Sequence, residues 1–138
     1  MSLARFIEAQ APVWATALAE LQAGCKQSHW MWFIFPQLAT LGRSQMARHY
    51  GIADLAEAQA YAAHDPLGPR LREVSAAVLQ HPGRTAEEIM GRIDALKLRS
   101  SMTLFERADP GCDLYGRVID TFHHGYRCAP TLAELDAG

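Results

Sequence analysis

The sequence predicts an all-α fold: one compact domain spanning residues 1–138, built from several short to medium helices with no significant sheet. Three observations carry this expectation. Apolar residues recur at three-and-four spacings along most of the chain. Helix-capping signatures stand ahead of several of these stretches. Sustained period-two alternation is absent, and so are Asn-Gly and Asp-Gly hairpin turns.

Taken in order, Ser2 is placed to cap a first short helix carrying Phe6 and Ile7, and Pro12 suits the first position of a second. That second helix puts Val13, Trp14, Ala17, Leu18 and Leu21 on one face and stops at Gly24. Residues 26–38 read K-Q-S-H-W-M-W-F-I-F-P-Q-L, a dense aromatic segment. Its Pro36 discourages helix at Phe35, which predicts a short helix or turn with an extended exit. Ser44 opens a short helix running through Arg48 to Gly51. Asp54 with Glu57 reads as a capping box ahead of Leu55, Ala58 and Tyr61.

The chain then breaks at Asp65-Pro66, and the glycine and two prolines of D-P-L-G-P-R predict a rigid turn that aims Arg70 in one direction. Leu67, Leu71, Val74, Ala77 and Val78 follow with a clear helical period up to His81-Pro82. Thr85 with Glu88 makes a second capping box before Ile89 and Met90. Residues 93–108 form a long amphipathic stretch. Asp113 begins a helix with Leu114, Val118, Ile119 and Phe122 inward, ending near Gly125, and Thr131 with Glu134 repeats the capping pattern for a last short turn. The expected total is about six to nine helices.

Composition narrows the function classes. A hydrophobic fraction of 49% and a charged fraction of 20% belong to a chain that buries a core without disulfides or metal. The net charge of −2 offers no global field for nucleic acid. No apolar run has the length of a membrane span, and the N-terminus has no leader pattern, so export is not expected. Cys25, Cys112 and Cys128 are odd in number and widely spaced, which suits reduced thiols in a cytoplasmic protein.

Two constellations carry the candidate chemistry. Lys26, Ser28 and His29 set a cation, a hydroxyl and an imidazole at the edge of Trp30 and Trp32, a combination suited to an anionic ligand with a flat ring. The competing reading has the indoles filling the core, with His29 a satisfied structural histidine. The second constellation is K-L-R-S-S-M-T-L-F at residues 97–105, where helical spacing puts Lys97, Ser100, Ser101 and Leu104 on one face. A lysine and two hydroxyls turned into an apolar interior need a partner, either an anionic ligand or a protein carboxylate. The serines can instead bond back to their own helix. Arg70 is a candidate third cation.

Other chemistries fit less well. A Ser-Lys dyad from Lys97 with Ser100 or Ser101 has the reach, but no Gly-rich elbow supplies an oxyanion hole. His29 would be the acid/base group of any reaction, because its ordinary pKa lies near neutrality. His123 and His124, adjacent on a helix end, point about 100° apart and with Cys112 and Cys128 form no metal-ligand spacing, so no metal site is expected. Most arginines alternate with acidic residues in the manner of a solvated face.

Three motifs, K-Q-S-H-W-M-W-F-I-F-P-Q-L, D-P-L-G-P-R-L-R and K-L-R-S-S-M-T-L-F, occur in that order, and with them the chain resembles domain-of-unknown-function family 1810 over almost its whole length. The resemblance implies a bacterial protein with a compact, mainly α-helical domain, and implies no activity. Members of the family often carry the label "calpastatin", but that type of inhibitor is disordered and repeat-rich, whereas this chain is apolar, aromatic and non-repetitive.

The sequence therefore leads to a cytoplasmic all-α protein holding a small anionic, ring-bearing, nucleotide-like metabolite. Its site would comprise Lys26, Ser28, Trp30, Trp32, Arg70, Lys97, Ser100 and Ser101, with His29 as acid/base. The alternative is a non-enzymatic protein–protein interaction module or a homo-oligomerising structural protein.

Overall fold

The described residues, 3–137, of the computed structural model contain ten α-helices and one 3-10 turn and no strand. They are α1 (Ala4–Gln10), α2 (Trp14–Ala23), α3 (Met31–Ile34), the 3-10 turn (Ala39–Leu41), α4 (Gln45–His49), α5 (Leu55–Ala63), α6 (Leu67–Leu79), α7 (Ala86–Met90), α8 (Arg92–Ala108), α9 (Leu114–Phe122) and α10 (Ala129–Ala137). The all-α expectation holds. The helices are more numerous than expected because three of them, α3, α4 and α7, run only four or five residues. The Ser2 cap lies outside the described residues.

Local chemistry sets many of the boundaries. Gly24 ends α2 in the left-handed region at φ 72°, where a side chain would be strained. The Ser44 hydroxyl accepts from the Ala47 N–H, and Thr85 and Glu88 close a reciprocal capping box on α7. At α5 the box is only half formed. Asp54 accepts from the Glu57 N–H, but the Glu57 carboxylate turns to the Ala53 N–H and to Arg5, an ion pair of 3.1 Å.

Four sequence expectations shift. Pro12 lies ahead of α2, whose first residue is Trp14. The Asp113 side chain makes no cap bond to α9. Thr131 does not open a final turn but lies buried inside α10. The segment after Asp65-Pro66 is no rigid loop: Leu67, Gly68, Pro69 and Arg70 already form the start of α6. A proline in a first helical turn forfeits no intrahelical bond, because the N–H groups there have no partner. Gly68 is required for another reason, since a Cβ there would collide with the Ala62 carbonyl at the end of α5.

Helix α8 is the axis of the molecule and packs against α5, α7, α9 and α10. From Ser100 to Phe105 every residue is buried, whereas Arg107 near its end reaches solvent. A line of rings crosses the core beside it: Phe6 against Tyr61 at 5.1 Å, Tyr61 against Phe105 at 5.2 Å, and Phe105 against Tyr115 at 6.0 Å. Burying side chains of this size stabilises the fold by about 1.5–3 kcal/mol each. Burial also pushes the Tyr61 and Tyr115 phenols upward, which keeps both neutral. No helix among the described residues is long and apolar enough to cross a membrane.

Candidate functional site

The aromatic segment is divided by one carboxylate. Glu20, near the end of α2, accepts the Gln27 N–H at 2.8 Å, the Ser28 N–H at 3.0 Å, the Ser28 hydroxyl, and the Trp30 indole N–H at 3.0 Å. Its burial works against ionisation, but the Ser28 hydroxyl, the two backbone donors and the indole together outweigh this and hold its pKa down at about 2. Trp30 is thereby locked inside the core at 0% exposure. It fills the interior and does not wall a cavity. Ser28 is likewise committed to Glu20, and His29 stands exposed beside it, outside the groove described below.

Lys26 and the helix α8 constellation do meet in space, through Asp94. The Lys26 ammonium, its side chain only 7% exposed, lies 3.0 Å from Asp94 Oδ2, donates to the Ser28 carbonyl and sits 4.7 Å above the Trp30 ring. Lys97, one turn along α8, reaches the other oxygen of Asp94 at only 3.9 Å. Two lysines thus share one carboxylate, and the residual positive charge falls on Lys97, whose side chain is 26% exposed. Lys97 lies 5.6 Å over the face of half-buried Trp32, which holds its ammonium at the surface.

Lys97 opens onto a groove of about 630 Å³. One wall is α8, with Ile93, Leu96, Lys97 and Ser100. The facing rim is Thr40, Leu41, Gly42, Arg43 and Ser44, and Cys128 and Pro130 close one end. Among the described residues, the lining contains two cations, Lys97 and Arg43, and no acidic residue. Trp32 flanks the groove: it borders a small recess that shares Gln37, Ala47 and Lys97 with it. Ser100 lines the groove while its hydroxyl bonds back to the Leu96 carbonyl at 3.2 Å and meets Cys128 Sγ at 3.3 Å. Ser101 does not share this face. It is 0% exposed in the enclosed part of α8, and its hydroxyl has no hydrogen-bond partner.

Arg70 also stands elsewhere. Its Nη1 donates to Gln10 Oε1 at 3.3 Å, and its guanidinium lies 5.2 Å over Trp14. Gln10 in turn donates to the Phe33 carbonyl at 2.7 Å and the Tyr61 hydroxyl at 3.0 Å. Arg70 therefore ties α1, α3, α5 and α6 together and does not serve the groove. Of the residues singled out from sequence, Lys97 and Ser100 line the groove, Trp32 borders it, and Lys26 stands behind Lys97 across Asp94. Sequence reasoning missed Gln37, Thr40, Arg43 and Ser44. The available signal was L-G-R-S directly before a helix start, where a glycine turn presents a basic residue and a cap hydroxyl together. Among the described residues no group of histidine, cysteine, aspartate or glutamate side chains could hold a metal ion.

A family model described as a protein of unknown function, DUF1810, matches residues 1–135. The chain belongs to this family. The DUF1810 chain is also similar to a solved structure, that of the conserved hypothetical protein Rv1873 from Mycobacterium tuberculosis. The two share 50% sequence identity and superpose with a TM-score of 0.95, over 97% of this chain and 96% of that one. No curated relative matches. The resemblance carried by the three motifs is borne out, and neither description names a ligand or a reaction for a DUF1810 protein.

Proposed function

We propose that the protein is a cytoplasmic binding protein for a small anionic, ring-bearing metabolite of nucleotide type, held in the groove over α8. The observation that carries this reading is the groove's charge. In a chain of net charge −2, its lining holds Lys97 and Arg43 with no carboxylate among them, and Lys97 is left under-neutralised by a shared Asp94. The cations meet the ligand's charge, the rim hydroxyls of Thr40 and Ser44 donate to its oxygens, and the Trp32 edge accepts its ring. Lys26 acts behind this site by occupying Asp94. Three unpaired cysteines support the cytoplasmic assignment.

Thermal unfolding against a panel of nucleotides, dinucleotides and sugar phosphates tests the reading. A ligand at a hundred times its dissociation constant adds about 2.7 kcal/mol, a shift of several degrees. The reading expects that shift to vanish in Lys97→Glu and in Arg43→Glu, with both variants folded. No shift with any compound contradicts it.

One observation favours a second reading, a protein–protein docking or self-association surface. Ile93 and Leu96, at the groove's edge, are 70% and 51% exposed, an unusual cost for large apolar side chains. Sedimentation of wild type and Ile93→Asp separates the readings, because a concentration-dependent dimer lost in the variant supports self-association.

A further inference from the structure

A second cavity, on another side of α8, combines buried donors that no described residue satisfies. It measures about 380 Å³ and lies between residues 82–85, Arg99 of α8 and the turn that follows α9. It shares no lining residue with the Lys97 groove. Arg99 and Lys97, two positions apart on a helix, point about 200° from each other, which is why one helix serves both places.

His123 is 8% exposed, and its Nε2 is buried with no hydrogen-bond partner; Arg99 Nε is buried in the same condition. Such groups keep the full cost of desolvation when left unpaired, and the cost is larger when they are charged. Among the described residues Arg99 makes no ion pair, although Glu87 of α7 also lines the cavity. Arg84, at the mouth, donates to the Gly24 carbonyl at 2.8 Å and has no carboxylate partner either. Thr85 and Thr121 add hydroxyls to the lining, and Tyr126, 70% exposed, stands at the rim. The left-handed residues His124 and Gly125, at φ 55° and 77°, turn the chain back immediately after His123.

We propose that this cavity binds a phosphate-type oxyanion, held by the Arg99 guanidinium and the protonated His123 imidazole, with Arg84 attracting it at the mouth. A tetrahedral oxyanion accepts from several directions at once, which matches donors arriving from α8, from the turn after α9 and from the turn before α7. A metal cation is disfavoured by the arginines.

The site carries a proton linkage. In the free protein, burial and then the Arg99 charge press His123 toward its neutral form, Glu87 opposes this, and His124 adds slightly to it. A bound dianion reverses that balance, so binding takes up a proton and tightens as pH falls, by up to about tenfold per pH unit. Sulfate is the suitable probe for this dependence because it does not titrate between pH 6 and 8.

The test follows the His123 imidazole resonances by NMR while the full chain is titrated with sulfate, inorganic phosphate and a nucleoside monophosphate. The expected result is saturable movement of the His123 signals with an uptake of protons, and affinity for the preferred anion at least about tenfold weaker in Arg99→Gln. Tighter binding of the monophosphate than of inorganic phosphate identifies a phosphate monoester as the ligand; the reverse identifies free phosphate. Removing an unpaired, partly buried charge also leaves the melting temperature of free Arg99→Gln unchanged or raised, whereas a structural arginine would lower it. Should that variant not fold, His123→Gln supplies the comparison by titration calorimetry, where affinity at least about tenfold weaker than wild type is expected and unchanged affinity overturns the proposal. His123 signals that stay fixed with all three anions, or that move equally in Arg99→Gln, overturn the proposal. So does loss of the His123 response in Lys97→Glu, which would make the two cavities one site. Failure of the groove reading leaves this result untouched.

Discussion

Asp94 stands between two lysines and treats them differently. Lys26 is buried, 3.0 Å from the carboxylate, capped by a carbonyl and laid over Trp30. Lys97 is half-exposed, 3.9 Å away, and laid over Trp32. The same contrast runs through the two indoles: Trp30 has its N–H on Glu20 and no surface, whereas Trp32 borders the groove. One short aromatic segment therefore does two jobs. Its inner residues close the core around a saturated cation, and its outer residues display a cation whose neutralisation is incomplete. A charge left partly unsatisfied at the edge of an apolar groove is what a ligand can satisfy.

The two indoles should separate most widely. Trp30→Ala is expected to cost about 3–5 kcal/mol, as for large core aromatics, and Trp32→Ala about 1–2 kcal/mol, both read by chemical denaturation. Equal losses would erase the distinction between the two halves of the segment. The lysines should differ in the same sense. Lys26→Ala removes a buried cation from three partners and should cost about 2–3 kcal/mol, whereas Lys97→Ala should cost less than about 1 kcal/mol. A Lys97→Glu variant that unfolds would identify Lys97 as structural.

Glu20 sharpens the contrast by pH. Its folded pKa of about 2 lies below the ordinary 4.5. Its contribution is therefore complete above about pH 4.5 and is lost as the pH falls toward 2. Screening at a half-exposed carboxylate limits that contribution to about 1–2 kcal/mol. In Glu20→Gln the corresponding part of the acid slope should disappear from the stability profile.

Much of the fold could be read in the sequence because its helices announce themselves locally. The α6 stripe of Leu67, Leu71, Val74, Ala77 and Val78 is buried as its period requires, and the Thr85–Glu88 box closes as its spacing requires. The site was less legible for three physical reasons. Three-and-four spacing assigns a face only where a helix has one, and the stretch of α8 from Ser100 to Phe105 is buried all round, so Ser101 is buried although Lys97 is not. Pro69 reads as a turn residue, but it is equally at home in a first helical turn, and that moved Arg70 from a loop to the Gln10 network. The Glu20 carboxylate, which decides the fate of Ser28 and Trp30, comes from the preceding helix and leaves no mark in the aromatic segment itself.

The most direct test of the groove is a ¹H–¹⁵N spectrum of the indole N–H groups, titrated with a nucleoside monophosphate. Three tryptophans give three assignable signals. The account predicts saturable movement of the Trp32 signal while the Trp30 signal, fixed on Glu20, stays in place, and no movement of either in Lys97→Glu. A Trp32 signal that does not respond, or that responds equally in Lys97→Glu, would contradict it.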